Sequence, residues 1–231
     1  MVDTATGPVR IAIYDMDKTI TRRPTFVPFL WFAISRFRRW RLVTIPVMVV
    51  FGIGYFTGIV GRSKLKELNL ALALGRTIDQ AQLAKIADAF ARHTHAVNRL
   101  TKAEAQINAD RDEGYQLVMA TASFRFYAEN IGLDAFGFDT VIGTECREPD
   151  SQTLKPAIVG ENCYGSVKLK MVKDWLERQG IDRKTAHIRF YSDHASDEPC
   201  LAWADEAFAV NPHAALRTLA AKRGWPMLQW A

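Results

Sequence analysis

The sequence predicts an α/β fold: a parallel sheet whose strands alternate with helices, carrying a helical cap inserted near its start. Three observations predict it. Short apolar runs recur along the chain and stop abruptly at polar residues, the pattern of strands buried on both faces. Amphipathic stretches of helical spacing, closed by glycines, lie between them. From residue 23 to residue 99 the alternation lapses, and the chain becomes apolar, basic and helical in texture. With 231 residues, 48% apolar and 24% charged, the chain has room for one large domain with a substantial insertion around an ordinary core.

The first strand, residues 11–14, runs into Asp15-Met16-Asp17-Lys18-Thr19. Residues two apart leave a strand on the same side, and ligands of open α/β sheets sit at the carboxyl ends of strands. Asp15 and Asp17 therefore aim at one spot. Two close carboxylates repel, and one takes a proton unless a divalent cation lies between them; all-oxygen donors favour Mg²⁺. The plainer reading of a lone Asp-x-Asp is a turn or a solvated face.

The inserted segment comes next. Residues 26–34 are apolar, 36–41 (RFRRWR) basic and aromatic, and 43–60 uncharged throughout. That last run reaches the lower length for a transmembrane helix, although Pro46, Gly52, Gly54 and Gly58 weaken a straight-helix reading. The net charge of +5 is unevenly spread: from Lys18 through Lys66 there are ten Lys and Arg and no Asp or Glu. Farther on, Ile78, Leu83, Ile86, Phe90 and Val97 recur at helical spacing with Asp79 as a cap.

The remaining elements follow in order. Residues 103–113 form a helix ended by Gly114, and 115–120 a strand leading into Thr121-Ala122-Ser123. Residues 124–131 form a helix closed by Gly132, and 138–142 a strand. Turn residues at 157–164 precede a helix at 168–179, ended by Gly180. A strand at 187–191 runs into Ser192-Asp193-His194-Ala195-Ser196-Asp197, and a strand at 207–210 and a helix at 214–223 complete the chain. Cys146, Cys163 and Cys200 are odd in number and widely spaced, which argues against a disulfide framework or a zinc site. The first residues lack the basic-then-apolar pattern of an export signal, and a cytoplasmic protein is expected.

Four strand ends or helix starts thus carry polar groups suited to one task. Asp15 and Asp17 supply carboxylates, Thr121 and Ser123 hydroxyls beside a helix N-terminus that suits phosphate, Lys168 a positive charge, and Asp193 and Asp197 further carboxylates. The order DMDKT (15–19), MATAS (119–123), GSVK (165–168) and YSDHASD (191–197) resembles the four motifs of the haloacid dehalogenase superfamily of phosphatases, over the whole chain. The insertion resembles the helical cap of its phosphoserine-phosphatase-like branch. The resemblance implies a Rossmann-like core from residues 1–22 and 100–231 and a cap from 23–99. It also implies Asp15 as nucleophile and Asp17 as general acid and base. Mg²⁺ would be held by Asp15, Asp193 and the Asp17 carbonyl, the phosphoryl oxygens by Thr121 and Lys168, with Ser123 ranked behind Thr121. Asp197 would orient Lys168 or a metal-bound water. Each has a bland rival: Thr121 and Ser123 as helix caps, Asp197 as an N-cap, His194 as a loop residue, and His93, His95, Arg22 and Arg23 as solvated side chains.

The cap bears on the substrate. A single membrane crossing by residues 43–60 would separate Asp15 from Thr121, Lys168 and Asp193, so the run must lie in the plane of a membrane, re-enter it, or be buried in protein. Apolar segments flanked by RFRRWR, with Trp31, Phe37, Trp40 and Tyr55, suit contact with an anionic leaflet. This layout resembles the membrane-associated phosphatidylglycerophosphatase C type. The expected partner is a phosphomonoester, best a phospholipid monoester at the inner face of the cytoplasmic membrane. A soluble phosphatase of a small metabolite such as phosphoserine competes with it, though the absence of an acid between Lys18 and Lys66 gives an ammonium no partner. A non-catalytic membrane-associated regulator is a third reading, opposed by the intact motifs. No nucleic acid is expected, because basic-aromatic runs are also membrane signals.

Overall fold

The computed structural model describes residues 8–231; the expectation about an export signal rests on residues 1–10, of which 1–7 lie outside the described residues. The central sheet has six parallel strands: β1 (Val9–Tyr14), β3 (Gln116–Phe124), β4 (Thr140–Thr144), β7 (Ala186–Ser192), β8 (Glu206–Val210) and β9 (Met227–Leu228). They lie in the order β4-β3-β1-β7-β8-β9. Alternation along β1 divides the core. Ala12 and Tyr14 face one apolar cluster, Ile11 and Ile13 the other. The second cluster is closed by α7 (Ser166–Arg178), α8 (Glu198–Trp203) and α9 (Ala214–Arg223) through Val172, Trp175, Leu201 and Leu216. On the first face Tyr14 stacks on Tyr191, with centroids 4.3 Å apart, and donates its hydroxyl to Asp110 at 2.5 Å. Asp110 belongs to α5 (Thr101–Asp112) and also pairs with Arg189 at 2.7 Å, so this buried carboxylate is satisfied.

The inserted segment is helical: α1 (Phe26–Phe37), a 3₁₀ turn (Arg39–Thr44), α2 (Ile45–Phe56), α3 (Arg62–Leu74) and α4 (Gln80–Asn98). Helix α1 buries Phe29, Leu30, Phe32, Ala33 and Ile34, spaced as one helical stripe. Phe29 stacks on Tyr127 of the core at 4.6 Å and meets Phe90 of α4 edge-on at 5.3 Å. Asp79 caps α4, its carboxylate accepting the Gln82 N–H at 2.7 Å.

Several expectations need correction. Ile78 lies not in the helix but in a two-residue strand, β2 (Ile78–Asp79), and Val97 faces solvent. β2 pairs antiparallel with β6 (Thr153–Ile158), which pairs in turn with β5 (Cys146–Asp150), an unforeseen hairpin. Its run of charges and prolines, REPDSQTLKP, hides the strand alternation. The helix expected at 124–131 starts only at Arg125 as α6 (Arg125–Glu129) and continues as a π-turn (Asn130–Ala135) that contains Gly132. Gly132 does not close a helix. A Cβ there would stand 2.6 Å from Val141 Cγ2 and 2.9 Å from Met119 Cε, so the glycine lets the turn lie directly on β3 and β4.

The uncharged run is not buried within the chain. No residue of α2 is buried, and Val43, Phe56 and Ile59 are 77%, 87% and 83% exposed. Together with the 3₁₀ turn it forms one helical stretch of 18 residues, Arg39–Phe56, long and apolar enough by length and composition to cross a membrane. The basic segment is partly structural. Arg41 donates to the Ala71 and Leu72 carbonyls at 3.3 and 3.0 Å near the end of α3, and Arg38 reaches Gln82. Arg36 lies over the Phe32 ring.

Candidate active site

β1, β3 and β7 deliver their polar groups to one end of the sheet. The Asp15 N–H donates to the Tyr191 carbonyl at 2.9 Å, which prolongs the β1–β7 pairing by one residue and fixes the Asp15 backbone. The chain then turns sharply. Lys18 adopts φ +63°, an uncommon conformation for a residue with a Cβ, and the Ile20 and Thr21 N–H groups both reach the Met16 carbonyl. The turn brings the Thr19 hydroxyl 3.4 Å from Asp15 Oδ2, where it also accepts the Asp193 N–H at 3.1 Å.

On β3 the pairing with β4 breaks. Ala120 pairs with Ile142 and Phe124 with Thr144, so four steps of one strand cover two of the other. Residues 121–123 form this bulge, and Thr121 Oγ1 accepts the Ser123 N–H at 3.1 Å. Thr121 therefore sits in a bulged strand end, not at a helix N-terminus, because α6 begins at Arg125. Ser123 turns the other way: its hydroxyl donates to Asp17 Oδ2 at 3.2 Å, while the Thr25 N–H donates to Asp17 Oδ1 at 2.8 Å.

Gly165, at φ +61°, starts α7 and allows the tight entry that carries Lys168 inward. Lys168 is 2% exposed, and its Nζ lies 2.7 Å from Asp15 Oδ1 and 2.7 Å from Asp197 Oδ2. Asp197 Oδ2 also accepts the Ser192 hydroxyl at 2.8 Å, whereas its buried Oδ1 has no hydrogen-bond partner among the described residues. Asp15, Asp17, Thr121, Lys168, Asp193 and Asp197 line one cavity of about 240 Å³. Arg22 and Arg23 do not line it; they meet Arg99 and Asn98 at the base of the cap.

The charge balance here is negative. Burial pushes the Asp15 carboxyl up to about 7; Lys168 opposes the rise, and Asp197 and Asp17 add to it. Burial, then the nearby Asp15, pushes Asp193 up to about 8. Burial also raises Asp17, against the hydrogen bonds from Thr25 and Ser123. For Lys168, burial favours the neutral amine but is outweighed by Asp15 and Asp197, so it stays charged. Four carboxylates, Asp15, Asp17, Asp193 and Asp197, thus share a cavity with the cations Lys168, Lys18 and Arg62, a set that calls for further positive charge. The described residues hold no cluster of three or more His, Cys, Asp or Glu side chains suited to a metal. Asp15 and Asp193 nonetheless fit Mg²⁺, which takes one or two carboxylates and keeps several waters.

Sequence reasoning missed the cap's contribution. Lys66 of α3, almost fully buried, reaches the Ala122 carbonyl at 2.6 Å and Asn162 Oδ1 at 2.7 Å. Burial, with Arg62 nearby, lowers its amine to about 8. Arg62, Tyr164 and His194 line the cavity as well. The signal for Lys66 was available: Lys66, Asn69, Leu70, Ala73 and Leu74 share the buried stripe of α3, so a lysine occupies a core phase.

Comparison with known proteins supports the same reading of the fold. A protein of unknown function from Bordetella pertussis superposes with a TM-score of 0.83 at 22% identity, covering 97% of this chain and 100% of that one. Among curated proteins, phosphoserine phosphatase SerB1 of Mycobacterium tuberculosis is 33% identical over 114 residues, 49% of this chain and 36% of that protein. Histidinol-phosphatase of Neisseria meningitidis is 30% identical over 96 residues, 41% of this chain and 43% of that protein. The chain thus matches less than half the length of either relative. The haloacid dehalogenase-like hydrolase family matches residues 12–202, which take in four of the six sheet strands and the inserted helices, and the chain belongs to that family.

Proposed function

We propose that the chain is a Mg²⁺-dependent phosphoric monoester hydrolase that works through an aspartyl-phosphate on Asp15. The observation that carries this reading is the buried Lys168, bonded to both Asp15 and Asp197, beside a second carboxyl, Asp17, held by Thr25 and Ser123. Asp15 attacks phosphorus and the bond to the leaving oxygen breaks. Asp17, whose proton burial favours, gives that proton to the leaving oxygen. The Asp17 carboxylate then takes a proton from water as the water attacks phosphorus, the Asp15–phosphorus bond breaks, and inorganic phosphate leaves. Lys168 and Thr121 hold the phosphoryl oxygens while charge shifts among them, and Asp197 keeps Lys168 in position. Mg²⁺, held by Asp15, Asp193 and the Asp17 carbonyl, would neutralise phosphoryl charge.

In this reading residues 23–99 act as a cap over a core built from residues 1–22 and 100–231. The relatives named as phosphoserine and histidinol phosphatases favour a small soluble phosphomonoester. A phospholipid monoester, with phosphatidylglycerophosphate as the first candidate, is favoured by a different observation: α2 and its flanks expose Val43, Val50, Ile53, Phe56 and Ile59 beside a segment rich in Arg and Trp. Such a face suits an anionic leaflet at the inner side of the cytoplasmic membrane, with α2 in the interfacial plane. Because Asp15 and Lys168 meet at 2.7 Å, both parts of the core lie on one side of any such membrane.

The test compares phosphate release, with Mg²⁺, from phosphatidylglycerophosphate in mixed micelles and from phosphoserine, with Asp15→Asn as the blank. Preference for the lipid, together with sedimentation on anionic vesicles that is lost in Phe56→Asp, supports the membrane reading. Preference for phosphoserine, with no vesicle binding at low salt, overturns it and leaves the hydrolase reading standing.

A further inference from the structure

Among the described residues, two other than glycine adopt positive φ: Lys18 at +63° and Asn211 at +42°. They come from opposite ends of the chain and are bonded to each other, Asn211 Nδ2 donating to the Lys18 carbonyl at 3.3 Å. Neither conformation is the favoured one. The Lys18 Cβ disfavours the left-handed region, and Pro212 favours extended backbone in the residue before it, Asn211. Backbone of this kind persists where its surroundings over-determine it, and such places cluster at functional sites.

The Asn211 amide is fixed from one side. Asn211 follows β8, and its own N–H donates to the Leu228 carbonyl at 2.8 Å. Its Oδ1 accepts the Trp230 N–H at 2.7 Å and the Ala231 N–H at 2.9 Å. With the oxygen taken by two donors, the NH₂ group faces the other way, toward Lys18. The segment that holds the oxygen is itself anchored. β9 pairs with β8, the buried Trp230 lies 5.9 Å from the Tyr191 ring, and the Gln229 carbonyl takes Lys102 Nζ at 3.0 Å. Asn211 and this segment lie beyond residues 12–202, the part of the chain that the haloacid dehalogenase-like family matches.

Lys18 is the pivot between Asp17 and Thr19. From this turn the Thr19 hydroxyl meets Asp15 Oδ2 at 3.4 Å and accepts the Asp193 N–H at 3.1 Å. Local bonds hold the donors of the turn: the Lys18 N–H reaches Thr21 Oγ1 at 3.3 Å, and the Ile20 and Thr21 N–H groups reach the Met16 carbonyl. The Lys18 carbonyl is held from outside, by Asn211. We propose that Asn211 is a positioning residue: it ties the segment 226–231 to the Lys18 carbonyl and so holds the turn that sets Asp15, the Asp17 carbonyl and Asp193 for a divalent cation. Asn211 does not line the catalytic cavity and acts through Lys18. The expected effect on turnover rests on the hydrolase reading above; the expected effect on Mg²⁺ affinity does not need turnover.

The test separates the two halves of the Asn211 amide. Asn211→Asp keeps an oxygen for the Trp230 and Ala231 N–H groups and tolerates the left-handed turn, but sets a carboxylate oxygen against the Lys18 carbonyl in place of the donor. Asn211→Gly, neutral and free to adopt positive φ, loses both sets of bonds and controls for the added charge. Both are expected to lower kcat on 4-nitrophenyl phosphate about tenfold with little change in KM, and to weaken Mg²⁺ binding, read calorimetrically without substrate, by a similar factor. In Asn211→Asp the weakening occurs despite an added negative charge that favours a cation. Tm falls in Asn211→Gly and stays close to wild type in Asn211→Asp. The kcat loss on Asn211→Asp shrinks to about threefold or less in a Lys18→Asn background, because asparagine enters the left-handed region more readily than lysine. An unchanged Mg²⁺ affinity in both Asn211 variants, a raised KM at unchanged kcat, or an equal loss in both Lys18 backgrounds overturns the proposal. Wild-type protein that hydrolyses neither 4-nitrophenyl phosphate, phosphoserine nor phosphatidylglycerophosphate overturns the hydrolase reading, and the Mg²⁺ titrations then decide the role of Asn211 alone.

Discussion

Lys168 Nζ and Asp15 Oδ1 are 2.7 Å apart at the base of the cavity, and both residues are buried. The pair does not balance its surroundings, because Asp197 shares the ammonium at 2.7 Å and burial pushes Asp193 up to about 8. Removing the cation strands buried carboxylates. Lys168→Met is expected to abolish phosphate release and to cost about 3–5 kcal/mol of stability at neutral pH. The cost shrinks near pH 5, where Asp15 and Asp193 take protons instead. Urea unfolding of both proteins at the two pH values checks this.

Stability of the metal-free protein should fall as pH rises. Asp15 and Asp193 titrate near 7 and 8 in the folded protein and near 3.8 when unfolded. Between those values the folded state binds more protons, so their contribution is fully present below about pH 4 and is lost as pH climbs through 7 to 8. Mg²⁺ should therefore stabilise more at pH 8 than at pH 5.5. A rise in Tm of about 2–5 °C at saturating Mg²⁺ and pH 8 is expected, and little at pH 5.5. An equal rise at both pH values counts against Asp15 and Asp193 as the ligands.

In the proposed mechanism the bond from Ser123 to Asp17 makes Ser123 a partner of the acid rather than of the phosphate. Its hydroxyl donates to Asp17 Oδ2 at 3.2 Å and so favours the ionised form. Ser123→Ala should raise the Asp17 pKa further and move the alkaline limb of the kcat–pH profile upward by about half a unit to one unit. An unmoved limb with a raised KM would make Ser123 a substrate ligand.

Gly132→Ala is expected to destabilise the protein by about 1–3 kcal/mol, because its Cβ would strike Val141 and Met119. Thermal unfolding measures it, and a Tm within a degree of wild type would mean that the π-turn relaxes freely.

The fold was legible because its pattern is local. The short apolar runs at 11–14, 115–120, 138–142, 187–191 and 207–210 overlap the parallel strands β1, β3, β4, β7 and β8, and the four motifs bring their own geometry with them. Asp15, Lys168 and Asp197 converge although they come from three separate segments. What stayed hidden depends on tertiary contact. Lys66 stands at a core phase of α3, but only the fold shows that it meets the Ala122 carbonyl and Asn162. The β5–β6 hairpin is disguised by Pro149, Pro156 and its charges, and is recognised only by its pairing with Ile78 and Asp79 of the cap. Arg41 reads as a membrane-facing cation but serves the carbonyl end of α3. Charge type is visible in sequence; the partner of each charge is not.

The measurement that bears most directly on the account is capture of the intermediate. Protein is mixed with Mg²⁺ and a ³²P-labelled phosphomonoester, quenched in acid within the first turnover, and the labelled peptide is mapped by mass spectrometry. The account predicts acid-stable, base-labile phosphate on Asp15, and none in Asp15→Asn. Phosphate release with no labelled protein, or label on any other residue, would contradict it.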